Sequence, residues 1–520
     1  MLVQDILQNS RLRRPDKVAL VCGGRRLTYA DLDSMANRLA NGLLAHSIRR
    51  GDRVAILLPN SVEAVIAIFA ILKAGATFVF LNRSMKFDKL SHVLGDCQAS
   101  GLFMSGQSAG PKTIGKLREA NPWLKWIVTD GGADEQPGCD DRFTIGFETI
   151  LNRFPDTRPK VTATDLDLAC LVYTSGSTAE PKGVMCDHSN VVFVCGSVTT
   201  YLENRPEDVL LNVLPLSFGY GLYQVFMAFL AGGTLVLESS FAFPAGILQR
   251  IAEERVTGFA GVPTIFATLL QIDLSGFDLS SLRYVTNAAA ALPPAHIRQL
   301  QSRLPWVQIY SMYGLTETKR ALYLPPDQLD RRPGSVGIAI PGTEVWIEGP
   351  DGRRLGPDEI GELVVRGRHV MRGYWQAPEA TAARFRPGPL PGERVCYTGD
   401  LFRMDQDGYM YFVGRKDDII KTRGEKASPR EIENVLCTLP GVIEAAVVGV
   451  PDPLLGEAIK AVLVADTERV TKSAVLAHCK AHLEDFMIPK YVEFREELPK
   501  TSSGKTYKQG LRECAGLLES

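Results

Sequence analysis

The sequence has no long uncharged apolar run, no closely spaced cysteine pair and no excess of either charge. Its most apolar segment, residues 62–81, is interrupted by Glu63 and Lys73 and punctuated by Gly75. That is too broken for a bilayer span and predicts a core helix followed by a strand. The opening residues include Asp5 and Gln8 and lack the apolar stretch of a secretory signal. The ten cysteines show no Cys-x-x-Cys spacing, and a chain of 520 residues can fold without staples. Free thiols in a reducing compartment, hence the cytoplasm, are expected. A net charge of −1 calls for neither nucleic acid nor an anionic membrane surface as partner. His478 and His482 stand i, i+4, a spacing that suits zinc, but no Cys or Glu is placed to complete a site. A solvated or capping role is expected of them.

What the chain does have is a Ser/Thr/Gly-rich break between two apolar runs, Leu171-Val-Tyr-Thr-Ser-Gly-Ser-Thr-Ala-Glu-Pro-Lys-Gly-Val184. It reads as strand, loop, strand. Small residues let backbone N–H groups approach an anion, hydroxyls add donors, and a lysine at the loop's end adds positive charge. Thr174, Ser175, Gly176, Ser177, Thr178 and Lys182 are therefore candidates for a phosphate cradle. Lys182 is followed by Gly183 rather than by Ser or Thr, so this is not a Walker loop, and a magnesium ligand must come from elsewhere.

Tyr173-Thr-Ser-Gly-Ser-Thr-Ala-Glu-Pro-Lys-Gly183 resembles the signature of the AMP-forming adenylate superfamily, which comprises acyl-CoA synthetases, peptide-synthetase adenylation domains and luciferases. Four further stretches resemble its other motifs, in order: Tyr313-Gly-Leu-Thr-Glu317, Tyr397-Thr-Gly-Asp-Leu401, Gly414-Arg-Lys-Asp-Asp-Ile-Ile-Lys421 and Pro499-Lys-Thr-Ser-Ser-Gly-Lys505. Together they cover nearly the whole chain.

The resemblance implies ATP and Mg²⁺ as cofactors, a small carboxylic acid as substrate and coenzyme A as co-substrate. It makes Glu317 the metal ligand, with Thr316 on the α-phosphate. Tyr313 and Gly314 flank the nucleotide. Asp400 and Arg415 hold the ribose, and Lys505 enters the site for adenylation only. Asp417 is the hinge about which the small domain turns, presenting a second face that includes Gly424.

The expected fold is α/β. A large N-terminal domain, residues 1–416, combines parallel α/β subdomains with a small β-barrel-like subdomain. A small mobile α+β domain, residues 417–520, follows. Four local patterns support the division. Thr28 and Asp31 form a capping box ahead of a helix with Leu32, Leu39 and Leu43 on one face. Helices then alternate with strands up to about Tyr310, as covered parallel sheets require. Beyond Pro333 the runs shorten between Gly/Pro turns, as in an antiparallel unit. Ser428-Pro-Arg-Glu431 restarts the chain with a Ser cap and Pro at the first helical position.

Phe218, Gly219, Tyr220, Ala288 and Ala289, with Gly221, Ala290 and Tyr313, are expected to wall a largely apolar acid pocket. Three positions depart from the family pattern: Ala179 replaces a glycine, Phe218 a histidine and Lys426 an arginine. Ser217-Phe218 resembles the amino-acid-adenylating branch, but Gly219 stands where that branch has the aspartate that binds an α-ammonium. A hydrophobic acid without an α-amine is therefore expected. Three acceptors stay open: coenzyme A, an amine as in amide-forming members similar to coronafacate ligase, and a separate carrier protein. A non-catalytic nucleotide-binding protein is the alternative from another class.

Overall fold

The computed structural model describes residues 1–131, 143–174, 181–416, 418–422, 425–452, 455–467, 469–501 and 506–513. Asp417, Gly424, Lys505 and the loop residues Ser175, Gly176, Ser177, Thr178 and Ala179 lie outside them, as do the side chains of Thr174 and Lys426.

Three sheets organise the described residues. The first has seven strands, and its parallel part is built by helical crossovers from the strands Arg53–Leu57, Thr77–Phe80, Gly101–Met104 and Trp126–Thr129. The helix Val62–Lys73 that links the first two of these is buried on nearly every face, which is why its sequence reads as one apolar run. Its terminal lysine enters the core because two acceptors meet it. Lys73 Nζ lies 2.6 Å from Asp33 and 2.7 Å from Asn37, both on the helix Tyr29–Ala45. That helix carries the expected capping box: Thr28 accepts from the Asp31 N–H, and Asp31 accepts from the Thr28 N–H.

At one edge of the seven-stranded sheet, Leu168–Thr174 pairs antiparallel with Lys182–Asp187, Thr174 opposite Lys182. The strand–loop–strand reading thus holds for both flanks of the Ser/Gly-rich segment. Residues 373–375 fasten to the second flank: the Met185 N–H donates to the Gly373 carbonyl at 2.9 Å and the Trp375 N–H to the Gly183 carbonyl at 2.7 Å.

The second sheet has fourteen strands. A parallel centre, including Val209–Asn212, Gly258–Gly261, Tyr284–Asn287 and Gln308–Tyr313, continues through Leu322–Leu324 and Ser335–Ala339 into antiparallel strands up to Met410–Arg415. The short β-rich unit expected after Pro333 is this open extension; no closed barrel occurs among the described residues. Its pairings carry the site, since Asp400 stands directly opposite Arg415 across two of these strands.

The third sheet has five strands and begins at Ile420, beyond the strand that ends at Arg415. Ser428 caps the helix Pro429–Leu436 by accepting from the Glu431 N–H. This unit has apolar clusters of its own, centred on residues such as Ile432, Val447 and Val475 on one side of the sheet and Ala446, Val462 and Leu511 on the other. His478 Nε2 lies 2.8 Å from the Thr438 hydroxyl and 3.1 Å from the Val435 carbonyl, so it ties two helices together. No helix among the described residues is long and apolar enough to cross a membrane.

Candidate active site

The strand Gln308–Tyr313 ends in a loop that organises the site. Gly314 is required there, because a Cβ would fall 2.0 Å from the Lys319 carbonyl oxygen as the loop folds back on itself. The Lys319 N–H closes the turn on the Leu315 carbonyl at 2.6 Å, and Lys319 adopts φ +59°.

At the start of this loop the Tyr313 hydroxyl donates to Asp400 Oδ2 at 2.6 Å, and Arg415 Nε lies 3.2 Å from Asp400 Oδ1. Burial pushes the Asp400 carboxyl above its ordinary range, while Arg415, Tyr313 and Arg384 pull against that shift. Burial first, then Asp400, holds the Tyr313 hydroxyl well above its ordinary value. A carboxylate fixed by two donors on one side suits vicinal hydroxyls on the other. Gly399 is held at φ +68°, with Arg384 Nη1 2.6 Å from where its Cβ would sit.

Glu317 is buried, and its Oε1 accepts from the Tyr374 hydroxyl at 2.6 Å. Its second oxygen has no hydrogen bond to a described residue. One half-engaged carboxylate fits Mg²⁺, a hard cation that takes one or two protein carboxylates and completes its shell with phosphate oxygens and water. Lys182 Nζ sits 5.9 Å from the centre of the Tyr374 ring, so one tyrosine spans the phosphate-loop lysine and Glu317. Burial and Glu317 together raise the Tyr374 hydroxyl far above its ordinary range, so it stays protonated and keeps its O–H for Glu317.

Two cavities meet at the loop. A small one of about 70 Å³ is lined by Phe218, Gly219, Tyr220, Ala288, Ala289 and Thr316, among others. A larger one of about 400 Å³ lies between the main body and the C-terminal unit and includes Tyr313, Asp400 and Arg415. Gly314, Leu315 and Ala289 line both. The five residues expected as acid-pocket walls are thus gathered in the small cavity. Ala290 and Tyr313 face the larger one, and Gly221 packs against the Leu214 and Pro215 carbonyls. On the far side of the larger cavity, Arg430 donates to the Ala291 carbonyl at 2.8 Å, and Glu433 pairs with Lys508 at 2.6 Å.

Four residues at the site are not among those picked out of the sequence. Tyr374 and Arg384 carry no local pattern and reach Glu317 and Gly399 through the tertiary fold alone. Lys319 and Arg320 do leave a signal, two adjacent cations that interrupt an otherwise apolar run after Tyr313-Gly-Leu-Thr-Glu317. Both line the small cavity.

Residues 7–375 match the AMP-binding enzyme family, and residues 431–505 match the AMP-binding enzyme C-terminal domain. Among curated relatives, a feruloyl-CoA synthase from Amycolatopsis sp. is 37% identical over 507 residues, covering 96% of both chains. A long-chain-fatty-acid–CoA ligase from Bacillus subtilis is 32% identical over 541 residues, 98% of this chain and 94% of its own. Two solved structures share the whole architecture. The anthranilate CoA ligase AuaEII in complex with anthranoyl-AMP superposes with a TM-score of 0.91 at 28% identity, covering 99% of this chain and 97% of its own. ATP-bound MatB from Rhodopseudomonas palustris gives 0.88 at 30% identity, covering 99% of each. The paired Asp400, the half-engaged Glu317 and the loop shared by two cavities thus sit in a chain that belongs to the AMP-binding enzyme family, among relatives that are acyl-CoA ligases.

Proposed function

We propose that this protein activates a carboxylic acid with ATP as an acyl-adenylate and then transfers the acyl group to coenzyme A. The observation that carries this reading is that residues 313–317 reach three places at once. Tyr313 holds Asp400 at the nucleotide end, Glu317 stands at Tyr374 beside Lys182, and Gly314, Leu315 and Thr316 form a wall of the small cavity. A single rigid loop can therefore align an acid with an α-phosphate, converting a bimolecular encounter into a positioned one.

In this reading Asp400 and Arg415 hold the ribose. Thr174, Ser175, Gly176, Ser177, Thr178 and Lys182 cradle the β- and γ-phosphates, Thr316 contacts the α-phosphate, and Glu317 holds Mg²⁺. Bound there, the cation neutralises charge on the phosphate oxygens as it builds up in the transition state. A carboxylate oxygen of the acid attacks the α-phosphorus, the bond to the bridging oxygen breaks, and pyrophosphate leaves. Lys505 supplies a point charge between acid and phosphate during that step. In the second step the coenzyme A thiol gives up its proton to solvent, its sulfur attacks the acyl carbon, the acyl C–O bond of the mixed anhydride breaks, and AMP leaves with that oxygen.

The division at residues 416 and 417 belongs to this proposal. Sheet membership changes between Arg415 and Ile420, which supports a hinge at Asp417 about which the C-terminal unit turns between the two half-reactions. A cytoplasmic setting is part of it as well, in keeping with the free cysteines among the described residues.

The acid expected here has an apolar body and no α-amine. Val194, Val198, Tyr220, Ala288 and Ala289 supply apolar walls. A Cβ on Gly219 would lie 3.6 Å from Lys319 Nζ, so a cation already occupies the neighbourhood where an α-ammonium would be received. Acid-dependent ATP–pyrophosphate exchange over aliphatic, dicarboxylic, aryl and α-amino acids tests the reading, followed by competition between coenzyme A, amines and a carrier protein for the adenylate. Exchange with plain acids and thioester formation are expected. Preferential capture by an amine or a carrier would replace the second step and leave the first standing.

A further inference from the structure

The walls of the small cavity are largely apolar, Gln224 and Thr316 apart, but two cations enter it. Lys319 Nζ is buried without a hydrogen-bond partner and sits 5.8 Å from the centre of the Tyr223 ring. Arg320 is only 8% exposed, stacks 5.1 Å from the centre of the Tyr220 ring, and has a buried Nε without a partner. The buried Tyr223 hydroxyl is unpartnered too. None of the residues lining the cavity is Asp or Glu, and neither cation forms an ion pair with a described residue. The nearby Cys186 thiol donates to the Val184 carbonyl at 3.6 Å and is drawn below its ordinary range by Cys170 first and by Lys319 more weakly, so it is a thiol neighbour of the lysine rather than a carboxylate partner.

Buried charge without an opposite charge is among the most costly features a fold can keep, and attraction to two aromatic faces offsets only part of that cost. The backbone adds to it. Lys319 at φ +59° and Ala289 at φ +73° are non-glycine residues in the left-handed region, and both line this cavity. Strain of this kind persists where a site must hold a particular geometry.

We propose that the acid carries a second anionic group, and that Lys319 and Arg320 bind it while the first carboxylate is adenylated. The substrate class is a short-chain dicarboxylic acid. Length follows from space: the cavity holds about 70 Å³, less than half of the ~150 Å³ that admits benzene. This inference rests on the acyl-adenylating reading above and names the substrate class of that same site. A monocarboxylic acid of equal shape fills the space but leaves two desolvated cations uncompensated. A site built around polar contacts discriminates strongly against a ligand that lacks them.

The test is ATP–pyrophosphate exchange by the full-length protein with malonate, succinate and glutarate, each against a monoacid in which a methyl-branched end replaces the second carboxylate, such as 3-methylbutanoate for malonate and 4-methylpentanoate for succinate. At least one diacid should exceed its partner by at least about tenfold in kcat/KM. Lys319→Met and Arg320→Met should each lower that ratio by at least about tenfold, chiefly through KM for the diacid, and Arg320→Lys should recover part of it. Equal or better exchange with the monoacids would overturn the second-anion proposal and leave adenylation standing. Variants that lose both acids in equal proportion would overturn it too, because they would assign the two cations to the fold. Absence of exchange with every acid, aryl and long-chain ones included, would overturn both readings.

Discussion

Both carboxylates at the nucleotide end of the loop are held by protein donors, whereas two cations at its other end are not. Asp400 is engaged by Tyr313 and Arg415, and Glu317 by Tyr374. Two and three residues beyond Glu317, Lys319 and Arg320 face a cavity without a counter-charge among the described residues. The difference separates two tasks. The part of a site that meets the same ligand in every reaction can be held in place by the protein itself. The part that selects is left incomplete, so that only the right ligand completes it.

The largest effect should come from the pre-paired end. Glu317→Gln keeps the shape and the Tyr374 contact but removes the charge proposed to hold Mg²⁺; pyrophosphate exchange should fall roughly a thousandfold. Retention of more than about a tenth of the activity would mean that the cation is held elsewhere. Lys505→Ala should cost roughly a hundredfold in exchange, the range of a lost electrostatic contact to a transition state. Transfer to coenzyme A from a supplied acyl-adenylate should be nearly unaffected. Equal loss in both half-reactions would contradict a lysine that serves only the first.

Asp400→Asn should raise KM for ATP by about tenfold, the scale of a hydrogen bond to a charged group. It also carries a pH signature. Because burial lifts the Asp400 carboxyl above its ordinary range, the folded protein binds that proton more readily than the unfolded chain does. The stability this contributes is present at acid pH and is lost as pH rises through the raised value. Ribose hydroxyls donate to the ionised form, so KM for ATP should fall across the same interval as pH rises. Loss of that pH dependence in Asp400→Asn would attribute it to this group, and its persistence would assign it elsewhere. The smallest change is expected from Tyr374→Phe, which keeps the ring beside Lys182 and removes one donor to Glu317. About fivefold in kcat, close to 1 kcal/mol, is the expected loss, and no loss would show that Glu317 needs no fixing.

How far the sequence reached follows the same division. Local chemistry was legible wherever neighbours in sequence are neighbours in space: the Thr28–Asp31 box, the Ser428 cap, the two strands around the Ser/Gly-rich loop and the strand leading into Tyr313. The resemblance puts Asp400 and Arg415 together at the ribose, and the structure sets them opposite each other in strand register. Tyr374 could not be read, because its contact with Glu317 depends on how residues 373–375 dock on a strand almost two hundred positions earlier, and Arg384 could not because its approach to Gly399 depends on the pairing of Phe385–Pro387 with Arg394–Met404. The barrel-like unit was legible as antiparallel, yet periodicity alone says nothing about whether such strands close or extend an existing sheet. Lys319 and Arg320 were visible as letters; their meaning lies in a turn that draws them inward, which requires Gly314 and a left-handed lysine.

The measurement that bears most directly on the account is the product balance of one reaction. The protein is supplied with ATP, Mg²⁺, coenzyme A and an acid that supports exchange, and AMP, pyrophosphate and thioester are quantified together. Acid activation followed by thiol transfer predicts the three in equal amounts, with none formed when the acid is omitted. ADP and phosphate in their place, or AMP and pyrophosphate without thioester, would contradict it.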